Sequence, residues 1–174
     1  MKLEIPDELF NEEELTNTPG RYSRFIEEWD SKGCDINFTT FDNPGYDQLI
    51  VLKDIDFASL CSHHVLPFIG VAHIGYLPDN RICGISKLAR VVDKFACRPQ
   101  IQERMTAQIA DFIAAELEPK WLMVVVEGVH ECMRIRGVRK PRAKMITSAI
   151  RASPYFEEDE KTRAEFMELI GKRE

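Results

Sequence analysis

Apolar residues recur at helical spacing in several segments of the chain. In the first segment they fall at i, i+3, i+4 and i+7, which places them on one face of a helix. This stripe consists of Tyr22, Phe25, Ile26 and Trp29. The pair Thr18-Pro19 is typical of a helix start and the pair Lys32-Gly33 of a helix end, so the pattern predicts an N-terminal helix between them.

Two more helices are predicted in the middle of the chain and one near its end. Ser86 is a good N-cap for the first of these helices. The second follows Arg98-Pro99 and ends before Pro119, because proline cannot continue a helix. The last opens at Thr162, where Glu165 three residues later completes a capping box.

Four segments rich in β-branched and aromatic residues predict strands: residues 46–60, 65–77, 121–126 and 145–150. The order of elements is then helix, two strands, two helices, two strands, helix, which predicts an α+β fold. Residues 30–44 are polar and rich in turn formers, and the pattern leaves their shape open.

Composition narrows the class of protein. The chain has 174 residues with a hydrophobic fraction of 44%, enough for the core of one domain. Its longest apolar run, residues 121–126, is far shorter than the roughly 18 residues that span a bilayer, so we expect no membrane partner. The N-terminus lacks the pattern of a secretory signal, and five cysteines do not suggest a disulfide framework. Both observations favour a cytoplasmic location.

Charge is unevenly distributed along the chain. The net charge of -6 argues against a general nucleic-acid binder, and the acidic residues collect near the two ends. Residues 134–151, by contrast, contain seven Lys and Arg and no acid. We therefore expect an anion near this basic segment, and no nucleic acid, since the segment has no aromatic residues for base stacking.

Cysteine and histidine residues suggest a metal site. Cys61 and His64 stand three apart at the turn between two predicted strands, and Cys132 follows another predicted strand. Two thiolates and an imidazole suit Zn²⁺, and three protein ligands leave a position open for water, whose pKa the metal lowers toward about 7. Two alternatives stay open here: a structural site completed by another cysteine, and a buried cysteine near an unrelated histidine.

Two further histidines, His63 and His130, adjoin these candidate ligands. Histidine titrates near neutral pH, so both are candidate proton donors or acceptors beside the metal. The alternative is that they only form hydrogen bonds that orient the ligands. His73 lies within an apolar run, and we expect it to be structural.

Two other groups of residues suggest that the ligand is a nucleotide. Lys87 and Arg90 share a face in the first turn after Ser86, and with Arg136 they could hold a phosphate, although a solvated basic face is the alternative. Gln102 and Glu103 begin the long helix, where a carboxylate could accept two N–H bonds from guanine. Complementation of the helix dipole is the simpler explanation for the glutamate.

Three long segments carry a family resemblance: CSHHVLPFIGVAHIGYLP, ISKLARVVDKFACRPQIQERMTAQIADFI and HECMRIRGVRKP. With TPGR near the start and TRAEFMELI near the end, the chain resembles GTP cyclohydrolase I, which converts GTP to 7,8-dihydroneopterin triphosphate and formate. The resemblance implies a tunnelling fold, with a four-stranded antiparallel sheet, two helices inserted between strand pairs and an N-terminal helix. It divides the chain into an N-terminal helical arm and connection, residues 1–45, and a catalytic domain, residues 46–174.

At matching positions the resemblance implies that Cys61, His64 and Cys132 bind zinc. It also implies that His63 protonates N7 during attack at C8 of guanine, and that His130 then assists opening and rearrangement of the ribose. The usual assembly of the family is a homodecamer with active sites at subunit contacts.

The remaining implied roles concern the substrate GTP. The residues implied to hold the triphosphate or to act near the ribose are Ser86, Lys87, Arg90 and Arg136, with Ser86 assisting the ribose chemistry. Gln102 and Glu103 match the family's guanine-recognising pair, and Arg21 matches an arginine that reaches a neighbouring subunit's site.

One position departs from the family pattern Cys-Glu-His-His, because Ser62 stands where the family has glutamate. Loss of a carboxylate beside the ligands could lower the rate, since such outer partners often matter by about 10- to 100-fold. The alternatives are therefore a weakened enzyme, a relative of the same fold with other chemistry, such as a nitrile reductase with a cysteine nucleophile, and a non-catalytic zinc or interaction module.

Overall fold

The computed structural model describes residues 10–30 and 36–171. In this part of the chain the elements are α1 (Glu12–Asp30), β1 (Thr40–Asp42), β2 (Ile50–Cys61), β3 (Pro67–Leu77), β4 (Arg81–Cys83), α2 (Ile85–Ala96), β5 (Pro99–Gln100), α3 (Gln102–Leu117), β6 (Trp121–His130), α4 (Glu131–Arg134), β7 (Met145–Ala152) and α5 (Asp159–Gly171).

The main sheet has the strand order β5-β2-β3-β6-β7. Its four long strands, β2, β3, β6 and β7, are antiparallel, whereas β5 adds two residues that pair in parallel with the end of β2. Helices α2 and α3 lie between β3 and β6 in the chain. The predicted α+β fold with a four-stranded antiparallel sheet and two inserted helices is confirmed.

The two faces of the sheet bury different sets of side chains, because strand residues alternate between faces. On one face Phe68, Ile74 and Val124 join the core beneath α2 and α3. On the other face Trp121 packs with Phe166 of α5, at a ring-centroid distance of 6.1 Å. The cluster beneath α2 and α3 includes Cys61 and packs against Cys132, so this layer holds the ends of β2 and β6 where the candidate ligands lie.

Helix α1 begins earlier than the sequence pattern predicts. Asn11 caps it: the side-chain Oδ1 accepts the N–H of Glu14, and the Glu14 carboxylate accepts the N–H of Asn11. Pro19 therefore lies inside the helix, so the predicted start at Thr18-Pro19 is wrong. The predicted end at Lys32-Gly33 falls outside the described residues.

Two other predicted helix starts are also wrong. The N-cap of α2 is Gly84, without a side-chain cap, so Ser86 lies within the first turn. Helix α5 already begins at Asp159, and Thr162 is buried inside it. In both cases a residue that favours caps lies inside the helix instead.

Among the described residues, the sequence did not predict the short strands β1, β4 and β5, and it predicted β6 only in part. The short strands β1 and β4 pair with each other, although β1 lies in the predicted arm and β4 in the predicted main domain. Strand β6 runs four residues beyond the predicted segment and ends at His130. Among the described residues, no helix is long and apolar enough to cross a membrane.

Candidate metal and acid–base site

The first two candidate ligands lie in one tight turn after β2. Cys61 is the last residue of β2, and its carbonyl accepts the N–H groups of His64 at 3.3 Å and Val65 at 2.8 Å. The N–H of Cys61 in turn donates to the carbonyl of Leu66 at 2.8 Å. These bonds close the turn, so His64 returns toward the sulfur of Cys61, with Nδ1 3.8 Å from Sγ.

Two neighbouring elements hold this turn in place. The N–H of Ser62 donates to the carbonyl of Gln100 in β5 at 2.9 Å. From α1, the hydroxyl of Tyr22 donates to the carbonyl of Val65 at 3.3 Å. Val65 has φ +53°, a conformation that β-branched residues rarely adopt, so the surrounding contacts enforce the shape of the turn.

The third candidate ligand arrives from β6. Because this strand continues to His130, the short helix α4 follows at once and places Cys132 beside the turn. One ligand atom each of Cys61, His64 and Cys132 lies within 4.8 Å of the other two. The predicted convergence of three residues that are remote in sequence is therefore present.

The chemistry of these donors fits a cation. Burial raises the pKa of the Cys132 thiol, and the nearby sulfur of Cys61 raises it further. A cation between the sulfurs would reverse that effect, because it stabilises the thiolates.

A fourth protein ligand is not found among the described residues. Cys83 lies 4.0 Å from the hydroxyl of Tyr76, and the thiol of Cys97 donates to the carbonyl of Lys94. Cys34 lies outside the described residues. The described part of the chain thus offers three candidate ligands.

The two candidate acid–base histidines differ in their surroundings. Nδ1 of His63 is 4.0 Å from Sγ of Cys61, and its side chain is exposed. The ring of His130 stacks on Phe68, with centroids 4.5 Å apart and planes 2° apart. Burial lowers the pKa of His130, and the negative charge of Glu103 partly offsets this.

His73 is structural, as expected. It is 4% exposed, and its Nδ1 accepts the N–H of Asp54 at the bulge in β2.

Gln102 and Glu103 differ in their surroundings although they are neighbours. Glu103 is exposed at the start of α3. Gln102 is 1% exposed, and its Nε2 donates to two carbonyls and a hydroxyl of the sheet: Val126, Met145 and Thr147. Its side chain has no donor left for a purine, so direct reading of guanine by this amide does not fit the geometry.

The residues predicted to hold the triphosphate or to act near the ribose lie at the start of α2 and just after α4. Ser86, Lys87 and Arg90 share the start of α2, and the ammonium of Lys87 donates to the carbonyl of Asn37. Arg136 lies close enough to Cys132 to favour its thiolate. The described residues show no hydrogen bond or ion pair between the three α2 residues and the Cys–His cluster.

Arg21 lies on α1, and among the described residues it makes no hydrogen bond or ion pair with the ligand cluster. Its guanidinium pairs with the carboxylate of Glu13 on the same helix at 2.5 Å, and both side chains are about half exposed. Within the single chain Arg21 therefore contacts its own helix.

The sequence alone did not point to two supporting residues of this site. Phe68 carries the ring of His130, and Gly128 leaves room for the carboxamide of Gln102. Phe68 is one apolar residue in an apolar strand, so its pattern carries no signal of a role. The glycine in β6 was the available signal, since glycine within a strand often marks a close approach.

Comparison with known proteins adds an independent finding. The sequence profile described as GTP cyclohydrolase I matches residues 1–171 of the chain. The chain is 49% identical to GTP cyclohydrolase 1 of Sulfurihydrogenibium sp. (strain YO3AOP1) over 162 residues, covering 92% of this chain and 85% of that protein. It is 51% identical to GTP cyclohydrolase 1 of Streptomyces avermitilis over 168 residues, covering 92% of this chain and 81% of that protein.

Solved structures add a similarity of fold. The apo crystal structure of the archaeosine synthase QueF-Like matches with a TM-score of 0.51 at 16% identity, covering 62% of this chain and 97% of that one. At this identity the likeness concerns the fold alone, and it agrees with the four-stranded antiparallel sheet described above.

Proposed function

Since the chain belongs to the GTP cyclohydrolase I family, we propose that it is the hydrolase that converts GTP to 7,8-dihydroneopterin triphosphate and formate. The observation that carries this proposal is the convergence of Cys61, His64 and Cys132 within 4.8 Å, beside two further histidines. A hydrolysis at C8 of guanine needs an activated water and groups that load protons onto leaving nitrogens, and this cluster offers both.

We propose that the metal held by these three residues is Zn²⁺. Two sulfur donors and one imidazole suit this ion, and the exposed His64 leaves the cluster open on one side. When bound, Zn²⁺ supplies Lewis-acid chemistry that lowers the pKa of a coordinated water to near neutrality.

His63 and His130 would divide the proton transfers. His63 is exposed beside Cys61, where it can donate a proton to N7 of the guanine ring. His130 is half-buried and held by its neighbours, which suits a group that acts on one fixed part of the substrate. With Ser86, it would assist the opening and rearrangement of the ribose.

Recognition of GTP would use Glu103 and the basic side chains. The exposed carboxylate of Glu103 can accept two N–H bonds from N1 and the 2-amino group of guanine. Its charge acts on His130, so the guanine would lie next to the reacting histidine. Lys87, Arg90 and Arg136 would bind the triphosphate.

Ser62 does not disturb the turn that carries the ligands. Its side chain is exposed, and the turn is closed by backbone bonds from Cys61, His64 and Ser62 itself. These bonds form whichever residue stands at position 62. A fold relative with other chemistry is not favoured, because the curated relatives at about 50% identity are GTP cyclohydrolases.

We also propose a homodecamer in the cytoplasm, with active sites at subunit contacts. In this assembly the arm, residues 1–45, would present Arg21 to the site of a neighbouring subunit. The exposed side chain of Arg21, which pairs only with Glu13 of its own helix among the described residues, supports this role.

The function can be tested by incubating zinc-loaded protein with GTP and oxidising the product. We expect a fluorescent neopterin derivative that elutes with an authentic standard. A folded, zinc-loaded protein that leaves GTP unchanged would refute the proposal.

A further inference from the structure

The buried amide of Gln102 is linked directly to His130. Its Oε1 lies 2.9 Å from Nε2 of the imidazole ring. Gln102 is 1% exposed and begins α3, whereas His130 ends β6, so the contact joins two elements at the site.

The orientation of this amide is determined by what faces its other end. Nε2 of Gln102 lies 3.0 Å from the carbonyl of Val126, 3.0 Å from that of Met145 and 3.1 Å from the hydroxyl of Thr147. A flipped amide would bring its oxygen against two carbonyl oxygens, which can only accept hydrogen bonds. Oε1 must therefore face His130.

The hydroxyl groups around the amide complete a closed ring of hydrogen bonds. The hydroxyl of Thr106 donates to the carbonyl of Gln102 at 2.8 Å. The hydroxyl of Thr147, 2.6 Å away, must then donate to Thr106, which leaves its own lone pairs for Nε2 of Gln102. Each hydroxyl donates once and accepts once, so the network has one consistent arrangement.

This arrangement decides where the hydrogen of His130 resides. An amide oxygen can only accept, so Nε2 of His130 must carry the hydrogen that it receives. The neutral ring then has its lone pair on Nδ1. Among the described residues, Nδ1 of His130 has no hydrogen-bond partner.

A second contact fixes the plane of the ring. Phe68 is fully buried and stacks on His130 with the two planes 2° apart. Rotation of the ring out of this plane would break the stacking, and a half-turn within it would put carbon in place of Nε2 and lose the bond to Gln102. The ring is thus held in position and in one tautomer.

We propose that Gln102 is a positioning residue that holds His130 as the Nε2–H tautomer and presents Nδ1 to the substrate. The bond from Nε2–H to the amide oxygen and the stacking on Phe68 fix the ring, so Nδ1 is the nitrogen left to face the substrate. The assignment rests on the proposed acid–base role of His130, and it replaces guanine reading as the role of the Gln102 side chain.

The direct test is the tautomer of His130 in the full-length wild-type protein. Solid-state NMR of protein with ¹⁵N-labelled histidine, assigned with a His130→Asn variant, distinguishes the two ring nitrogens. We expect hydrogen on Nε2 and a lone pair on Nδ1. Hydrogen on Nδ1, or a mixture of both forms, would overturn the proposal. This readout needs no turnover, so it remains decisive even if the protein does not hydrolyse GTP.

Measurements of kcat and of the Kd for GTP distinguish a positioning role of Gln102 from a role in substrate binding. We expect Gln102→Leu to lower kcat by about 30-fold, by analogy with the loss of about 10- to 100-fold when the hydrogen-bond partner of a metal-ligating histidine is removed. The Kd for GTP should change less than about threefold. A weaker Kd with unchanged kcat would instead assign Gln102 to guanine binding.

Two comparisons control for a general loss of structure. Gln100 is equally buried at 1% exposure, and its side chain is hydrogen-bonded to Phe95, Gln108 and Arg104 but does not contact His130. We expect Gln100→Leu to destabilise the fold similarly while kcat falls less than about threefold. In a His130→Ala background, Gln102→Leu should add less than about a twofold loss, because the two residues act as one unit. A 30-fold further loss would contradict positioning.

Discussion

Gly128 in β6 makes room for the carboxamide of Gln102: a Cβ at position 128 would lie 2.4 Å from Oε1 of Gln102. The oxygen in question is the one that accepts the hydrogen of His130. A missing side chain in one strand thus permits a buried contact that reaches the site.

Gly128→Ala should therefore displace Gln102 and disturb His130. We expect a loss of about 1–3 kcal/mol in the free energy of unfolding, since extra atoms in a packed core force side chains to move, and a fall in kcat. Denaturant unfolding and steady-state kinetics measure the two effects. Gly171→Ala is the control: nothing lies within 4 Å of its Cβ position, and its effect should stay within about 0.5 kcal/mol. Equal behaviour of the two variants would contradict this role of Gly128.

Replacement of Cys132 by serine should abolish metal retention. A serine hydroxyl is a poor substitute for a thiolate, and the remaining pair, Cys61 and His64, is too small a set for tight binding. We expect zinc per chain to fall from about one to less than about a tenth, measured by elemental analysis after dialysis. Cys97→Ser, at a buried thiol outside the cluster, should keep the metal. Undiminished zinc in Cys132→Ser would remove Cys132 from the ligand set.

Glu103→Gln should reduce recognition of guanine. The amide can accept one of the two N–H bonds but meets the other with its own donor, and bonds to a carboxylate are worth about 1.5–3 kcal/mol each. We expect kcat/KM for GTP to fall about 100-fold and the preference for GTP over inosine triphosphate, which lacks the 2-amino group, to disappear. Thermal unfolding should not change, because Glu103 is exposed.

Glu116→Gln, an exposed change on the same helix, is the matched control and should leave both measurements near wild type. If Glu103→Gln still preferred GTP over inosine triphosphate, another group would have to read the guanine.

Arg21 can be tested by mixing subunits. If Arg21 acts in a neighbour's site, Arg21→Ala and His130→Ala chains are each inactive alone but complement each other when they assemble together. About a quarter of the sites in a 1:1 mixed assembly would then receive one intact copy of each residue. The measurement is the rate of GTP turnover after joint refolding. Absence of any recovered activity would indicate that Arg21 does not serve a neighbouring site.

The sequence predicted which long helices and strands form more reliably than it predicted where they begin and end. Long periodic runs gave α3 and the four main strands, because burial of one face determines both the period and the structure. Thr18-Pro19 and Ser86 gave false helix starts, since a cap residue also fits the first turns of a helix whose other contacts stabilise it. The strands β1 and β5 are two or three residues long and have too little pattern to predict.

The candidate site, too, could be predicted from the sequence only in part. The spacing of Cys61 and His64 and the family resemblance were enough to predict that Cys61, His64 and Cys132 come together as candidate ligands. Adjacent Gln102 and Glu103 could not be distinguished from sequence, because burial of the one and exposure of the other depend on how α3 meets the sheet. That contact, through Thr147 and Met145 of β7, is formed only when remote strands pair.

The central claim is that this chain removes C8 of guanine by hydrolysis, and labelled substrate tests it most directly. Zinc-loaded protein is incubated with GTP carrying ¹³C at C8, and the products are followed by NMR. We predict that the label appears in formate, with one formate released for each dihydroneopterin triphosphate formed. Label that stays in a purine or pyrimidine product, with no formate released by folded and zinc-loaded protein, would contradict the account.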